Sequence, residues 1–229
     1  MRPTLSIVVP TLNEERRIVA QLARLAGLGG VDEVIVVDGG STDRTTDLAA
    51  GTKARLITAP RGRAVQMNAG ARVARGNVIL FLHADVLLPE DAASWVERLL
   101  ADPHTVAGAF RTRTVNDGAS RPLGRLLRLA DLRSRYSSLP YGDQALFVRS
   151  HAFWKAGAFP EQQLMEDLEL SLRLRRIGRI RTAPANVTVS GRRFLARPVF
   201  YTTLVNVFPL LYRAGVPADL LARIYCDVR

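Results

Sequence analysis

The chain is poor in the residues that mark several large function classes. It has one cysteine, Cys226, in 229 residues, which excludes an internal disulfide or a thiolate zinc cluster and suits a reducing compartment. No apolar run approaches the ~18 residues that span a bilayer, and Leu5–Pro10 is too short for the core of a signal peptide. The expected location is cytoplasmic. Neither GxxxxGK[ST] nor GxGxxG occurs, so mononucleotide hydrolases and dinucleotide dehydrogenases lose their phosphate-binding signatures. Lysine is nearly absent: of 32 basic residues only Lys53 and Lys155 are lysine, and the other 30 are arginine. Aromatic residues are 7% of the chain, which leaves few platforms for stacking nucleic-acid bases.

What is present describes a globular chain. Hydrophobic residues at 48% and charged residues at 23% supply enough apolar surface to offset conformational entropy, and the length suits one domain with a single core. A net charge of +11 raises a polyanion or an anionic membrane as partner. An arginine- and alanine-rich bias also follows from genome base composition, so the charge alone does not choose.

The first hundred residues alternate β-branched runs with amphipathic ones, the pattern of βαβ units and a parallel sheet. Strands are expected at Leu5–Val9, Val34–Asp38, Arg55–Thr58 and Val78–Leu82, with helices at Glu14–Leu25, Arg44–Ala50 and Gly62–Ala74. After Pro89 the rhythm predicts a helix at Asp91–Leu100, a strand at Val106–Thr114, a basic helix near Pro122–Ser134, a strand at Gln144–Arg149 and a helix from Glu166 to Arg176. No linker separates the halves, so they are expected to share one sheet. Two tail helices, Pro198–Tyr212 and Pro217–Asp227, each carry a proline in the first turn, where its missing N–H costs nothing.

Ligands of an open parallel sheet bind outside the carboxyl ends of its strands. The first expected strand ends in Pro10-Thr11-Leu12-Asn13-Glu14, and the second in Asp38-Gly39-Gly40-Ser41-Thr42-Asp43. Asp38 at a strand tip can accept hydrogen bonds from a ribose or a base; the plainer reading is that Ser41, Thr42 or Asp43 caps the next helix. Arg61-Gly62-Arg63, followed by Gln66, Asn68 and Gly70, offers fixed positive charge and backbone N–H groups to a pyrophosphate, or is a solvated basic turn. The fourth strand runs into His83-Ala84-Asp85, and period-two alternation predicts that His83 and Asp85 share a side. Asp85 suffices to hold a Mg²⁺ whose shell is completed by phosphate; His83 is a ligand, a support or a packed strand end. Glu166, Asp167 and Glu169 open a helix, where acidic residues favour the dipole or one of them serves as a general base.

The ordered set SIVVPTLNEE, VIVVDGGSTDRT, NVILFLHADVLLP, YGDQALFVR and MEDLELSLRLRRIG resembles glycosyltransferase family 2 over about residues 4 to 180. Within it, the chain is most similar to a compact branch without membrane spans that includes arsenosugar-biosynthesis-type glycosyltransferases. The resemblance implies an α/β GT-A fold, a Rossmann-like mixed sheet flanked by helices, in a single domain. Its parts would be a nucleotide-sugar-binding half at about 1–105, an acceptor half at about 106–195 and C-terminal helices at 196–229. It also implies transfer of one sugar, with inversion, from a UDP- or GDP-linked donor to a hydroxyl of a small-molecule or lipid-linked acceptor, assisted by Mg²⁺ or Mn²⁺.

Carried over by position, Pro10, Thr11, Leu12 and Glu14 match the nucleoside loop, and Asp38 matches the first aspartate of DDGS, which binds the base. Arg61, Arg63, Asn68 and Ala84 are expected on the nucleotide as well. Asp85 matches the last, metal-binding aspartate of DxD, and Asp167 the catalytic base of the ED pair, with Glu166 beside it. Gly142, Asp143 and Gln144 fall on the acceptor side. Two departures stand out: His83 replaces the first aspartate of DxD, and the QxxRW box of processive synthases is missing, which argues for single-sugar transfer.

Arg121, Arg125, Arg128 and Arg135 recur at helical spacing, either as a solvated face or as an interfacial helix at the inner membrane face. Arg192 and Arg193 are further candidates for the diphosphate, and Phe200, Tyr201, Phe208 and Leu211 could join a membrane or dimer surface. Rival readings are a sugar-1-phosphate nucleotidyltransferase, which would need GxGxR where the chain has VPTLNEE, a basic nucleic-acid-binding module, and a degenerate family member that binds nucleotide without transfer. No nucleic-acid partner is expected.

Overall fold

The aliphatic runs LSIVV, VIVV and VILF have no polar face to offer water beyond Ser6, so strands built from them must be covered on both sides. The structure, a computed structural model, describes residues 2–115, 131, 134, 139–140, 143–190 and 198–226. Strands β1 (Leu5–Thr11), β2 (Glu33–Asp38), β3 (Arg55–Thr58) and β4 (Val78–Phe81) alternate with helices α1 (Ile18–Ala26), α2 (Thr45–Ala50) and α3 (Arg63–Val73). There follow β5 (Val86–Leu87), α4 (Ala92–Leu100), β6 (Thr105–Val115), β7 (Phe147–Arg149), α5 (Ser150–Lys155), α6 (Glu166–Ile177), β8 (Arg179–Ser190), α7 (Pro198–Arg213) and α8 (Ala218–Cys226).

All eight strands form one sheet in the order β3-β2-β1-β4-β7-β6-β8-β5, so strands of both halves do share a sheet. β1, β2, β3 and β4 are mutually parallel where they pair; β7 is antiparallel to β4 and β6, and β8 is parallel to β6 and antiparallel to β5. Alternate residues of each strand feed opposite layers. Leu5, Ile7, Val9, Val36, Leu80 and Leu82 pack with Ile18, Leu22 and Leu25 of α1 and Val96 and Leu100 of α4. Val8, Ile35, Val37, Ile79 and Phe81 pack with Met67 of α3, Phe153 of α5 and Leu170 and Leu174 of α6. Each fully buried large apolar side chain contributes ~1.5–3 kcal/mol, so this double layer outweighs any local propensity. α3 lies so close to the sheet that a Cβ on Gly70 would run into the side chain of Val8.

Several boundaries differ from the sequence reading. α1 starts at Ile18 rather than Glu14 because residues 13–15 are held by another loop; the Glu14 carbonyl accepts from the N–H groups of Arg17 and Ile18. Neither Ser41 nor Thr42 caps α2; Asp43 accepts from the Thr45 N–H at 3.0 Å and from its hydroxyl at 2.5 Å. The strand expected over Gln144–Arg149 is confined to Phe147–Arg149, after Ala145 at φ 48°. β4 ends at Phe81, and the Val86 N–H bonds back to the His83 carbonyl, so His83 and Asp85 share a turn, not a strand face.

The sequence reading assigned no element to β5, α5 or β8. β8 was hidden by Pro184, which reads against an interior strand. Its register with β6 jumps from Phe110–Ala183 to Arg111–Asn186, and the bulge so formed takes up Pro184 and Ala185. The basic helix near Pro122–Ser134 with Arg121, Arg125, Arg128 and Arg135, the loop position Gly142, and Arg192 and Arg193 lie outside the described residues; so do the side chains of Phe200 and Tyr201.

Candidate active site

The carboxyl ends of β1 and β2 are joined by hydrogen bonds between the loops that follow them. The Asn13 N–H donates to Ser41 Oγ at 2.9 Å, the Glu14 N–H to Thr45 Oγ1 at 2.7 Å and the Glu15 N–H to Asp43 Oδ2 at 3.2 Å. In return the Thr42 N–H donates to Asn13 Oδ1 at 2.9 Å. Asn13 sits at φ 56°, a left-handed conformation that asparagine tolerates better than most side chains. Burial pushes the Asp43 carboxyl up, but the bonds from Thr45 and Glu15 outweigh it and hold it below the ordinary carboxylate range.

Gln66 of α3 ties the same strand ends from below, its Nε2 donating to the carbonyls of Thr11 at 2.9 Å and Val37 at 2.8 Å. A Cβ at Gly39 would lie 2.9 Å from that carboxamide.

Above these loops opens a cavity of about 860 Å³, within the usual range for a site that takes an organic ligand. Five chain segments line it: Pro10, Thr11, Leu12 and Glu14 at the end of β1 and just beyond it; Arg61 to Gln66 at the start of α3; His83, Ala84 and Asp85 after β4; Glu161 to Leu164 before α6; and Ala222 of α8. Among the described residues no side chain caps the N-terminus of α3, and this helix start lines the cavity together with Arg61 and Arg63, a setting for an anion.

Arg63 is fixed by an ion pair between its Nε and Glu166 Oε1. The two differ sharply in environment: the Arg63 side chain is 38% exposed and that of Glu166 only 1%. Glu166 Oε2 has no hydrogen-bond partner among the described residues, so nearly all compensation for this buried carboxylate comes from Arg63. Asp167 follows it, also buried, in the first turn of α6.

Met165, immediately before the acidic pair, occupies the left-handed region at φ 65°, which costs a non-glycine residue ~1–3 kcal/mol unless its surroundings enforce it. They do so through packing: Leu164 and Met165 contact a cluster made by Phe208, Tyr212 and Val216 of the α7 region and Leu221 of α8. Gln162 Nε2 donates to the Leu164 carbonyl at 2.8 Å, and the Tyr212 hydroxyl to Glu169 Oε2 at 3.0 Å. Burial, together with the Glu169 charge, raises the Tyr212 pKa above the ordinary tyrosine value.

Of the residues expected from sequence, Pro10, Thr11, Leu12, Glu14, Arg61, Arg63, His83, Ala84 and Asp85 line this one cavity. Others stand apart. Asp38 is buried, and its oxygens accept from the N–H groups of Gly40 and Ser41, both at 2.9 Å, and from the Ser41 hydroxyl at 2.5 Å, closing its own turn. Asn68 is buried, with both ends of its amide bonded to the backbone of Phe159. Gln144 is buried and donates to the Phe110 carbonyl at 3.1 Å, while neighbouring Asp143 is part-exposed. The sequence reading missed Glu161–Leu164, whose signal was adjacency to the acidic pair, and Ala222, which gave none.

Among the described residues no three His, Cys, Asp or Glu side chains come together as a metal cage. His83 and Asp85 nevertheless face one cavity. One carboxylate and one imidazole fit a Mg²⁺ or Mn²⁺ that completes its shell with diphosphate oxygens and water.

The sequence profile of Glycosyl transferase family 2 matches residues 6–158. The chain belongs to this family. Among curated family relatives, it is 30% identical over 142 residues to undecaprenyl-phosphate 4-deoxy-4-formamido-L-arabinose transferase of Pseudomonas aeruginosa, covering 56% of this chain and 42% of that protein. It is 31% identical over 97 residues to glucosyl-3-phosphoglycerate synthase of Mycobacterium tuberculosis, covering 38% and 30% respectively. The match thus takes in less than half the length of either relative. The family's GT-A fold is recognised in solved structures: the mannosyltransferase PcManGT of Pyrobaculum calidifontis in complex with GDP-Man and Mn²⁺ superposes with a TM-score of 0.65 at 23% identity, over 82% of this chain and 57% of that one. S. aureus TarS in complex with UDP-GlcNAc gives 0.63 at 21%, over 82% and 58%.

Proposed function

We propose that this family 2 chain transfers one sugar, with inversion, from a UDP- or GDP-linked donor to an acceptor hydroxyl, working as a single domain. The observation that carries the reading is the cavity itself, which brings the uncapped start of α3, Arg61, Arg63 and Asp85 to the ends of β1 and β4. The named ligands of two proteins with this fold, UDP-GlcNAc and GDP-Man with Mn²⁺, support a nucleotide-sugar donor. A lipid-phosphate acceptor in a relative supports an acceptor carried by a lipid.

In this reading Pro10, Thr11 and Leu12 form the floor for the nucleoside, and the diphosphate lies against the α3 N-terminus. Because Glu166 holds Arg63 at the cavity wall before any ligand arrives, its charge needs little reorganisation when the leaving group develops. Asp167 takes the proton of the acceptor hydroxyl as that oxygen bonds to the anomeric carbon. The opposite bond to the diphosphate oxygen breaks, and the nucleoside diphosphate departs with the electron pair. Asp85, with His83, would hold a divalent ion, which when bound neutralises charge on the diphosphate.

Calorimetric titration of UDP, GDP and their sugar conjugates, with and without Mn²⁺, into wild type and Asp85→Ala tests this. Metal-dependent binding of one nucleotide that weakens in the variant is expected. Absence of binding to every nucleotide would overturn the reading.

A further inference from the structure

Eight large hydrophobic side chains are exposed among the described residues, and five of them, Val207, Leu210, Leu211, Leu220 and Ile224, lie on α7 and α8. They are not scattered. Val207, Leu210 and Leu211 follow the i, i+3, i+4 spacing of one helical face, and Leu220 and Ile224 are i, i+4 on the next helix. Leu210 is 62% exposed. The other side of the same hairpin is spent: Phe208 and Leu221 are buried against Leu164 and Met165. The turn between the helices is closed by the Gly215 N–H on the Tyr212 carbonyl at 3.0 Å and the Val216 N–H on the Leu211 carbonyl at 3.0 Å, with Gly215 at φ 98°. Among its described side chains, the hairpin therefore has a buried apolar set and a second apolar set left exposed.

Charge decides what covers the second. Arg213 and Arg223 are exposed on the same two helices, with Asp219 the acidic residue among the described part of the hairpin, and the whole chain carries +11. A second copy of so basic a chain would bring like charges together, whereas anionic headgroups attract them. Five aliphatic side chains with arginine beside them match a helix lying in the headgroup region better than the ~1,200–2,000 Å² of a stable protein interface.

We infer that the outer face of the α7–α8 hairpin docks on an anionic lipid bilayer. The same hairpin places Ala222 in the cavity wall, so docking sets the mouth of the cleft at the membrane, where a lipid-linked acceptor would present its head group. That last step rests on the proposed transferase reading; the docking does not.

The test is co-sedimentation of the full chain with phosphatidylcholine vesicles, with and without phosphatidylglycerol, alongside nucleotide calorimetry on the same preparation. Wild type is expected to sediment with the anionic vesicles. Leu210→Asp combined with Leu220→Asp should weaken this by about tenfold or more, from lost apolar insertion. Arg213→Glu with Arg223→Glu should cost at least about fivefold per arginine. Val19→Asp, at an aliphatic side chain 46% exposed on α1, should change nothing, and circular dichroism should show all variants folded. Equal sedimentation of the double aspartate variant, or no sedimentation of wild type, overturns the inference. A dimer in solution that the aspartates turn into monomer also overturns it, by assigning the face to a second copy. Vesicle binding without nucleotide binding would keep the docking surface and remove the transferase reading; the reverse would keep the transferase and remove the surface.

Discussion

The two walls of the cleft are held by different physics. On the side of β1 and β2, loops 11–16 and 38–45 exchange backbone and side-chain hydrogen bonds, so each loop supplies the partners the other needs. On the side of α6, the chain at 161–167 is pressed into shape by the C-terminal helices and by the ion pair of Glu166 with Arg63 of α3. The first wall is many modest bonds in parallel, and the loss of one leaves the rest. The second depends on a few contacts, among them one buried charge, so its failures should be larger and more selective.

The largest effect should be chemical. Asp167→Asn is expected to lower transfer by about 10²–10⁴-fold, as removal of a general base does, with nucleotide affinity within about twofold of wild type by calorimetry. If transfer survives, Asp167 is not the base. Next comes an asymmetry within the ion pair. Arg63→Ala strands the buried Glu166 charge and should cost about 3–5 kcal/mol in urea unfolding. Glu166→Gln leaves a part-exposed arginine that water can solvate, so its cost should be clearly smaller; equal costs would show that burial of Glu166 does not govern the pair.

On the first wall, Ser41→Ala removes the hydroxyl shared by Asn13 and Asp38 and should cost about 1–2 kcal/mol, with weaker nucleotide binding. A loss as large as that of Arg63→Ala would erase the contrast between the walls. The smallest effects should appear with pH. The folded-state pKa of Tyr212 is raised, so its contribution is complete below the usual tyrosine value of ~10 and is lost as pH rises past the folded value. The Asp43 carboxyl is lowered, so its contribution holds above the usual aspartate value and is lost as acid brings pH down through the folded value. Tyr212→Phe and Asp43→Asn should each flatten their own limb of the stability-versus-pH curve.

The contrast also explains what could be read from the sequence. Strand ends can be read locally: an apolar run followed by PTLNEE, DGGSTD or HAD announces both the strand and the residues at its carboxyl edge. Pro10, Thr11, Leu12, Glu14, His83, Ala84 and Asp85 were legible for that reason. Asp38 and Asn68 had the residue type and spacing of ligand-binding groups, but spacing did not tell that their polar atoms bond the backbone of the chain itself, Asp38 in its own turn and Asn68 at Phe159. Ala222 and Tyr212 gave no signal, because their part in the second wall comes from helices folding back on α6. β8 was lost to Pro184, which is accommodated by a bulge in β8 itself opposite an uninterrupted β6.

The Arg63–Glu166 pair joins residues 103 positions apart, and this has a consequence for the order in which the molecule acquires its parts. Closing a loop of that length costs conformational entropy that no local contact repays in advance. As the chain emerges N-terminus first, β1 to β4 and their interlocked loops can form while α6 has not yet been made. Until it arrives, the Arg63–Glu166 pair cannot form, so the growing chain would own the loops after β1 and β2 well before it owns the opposite wall of the cavity.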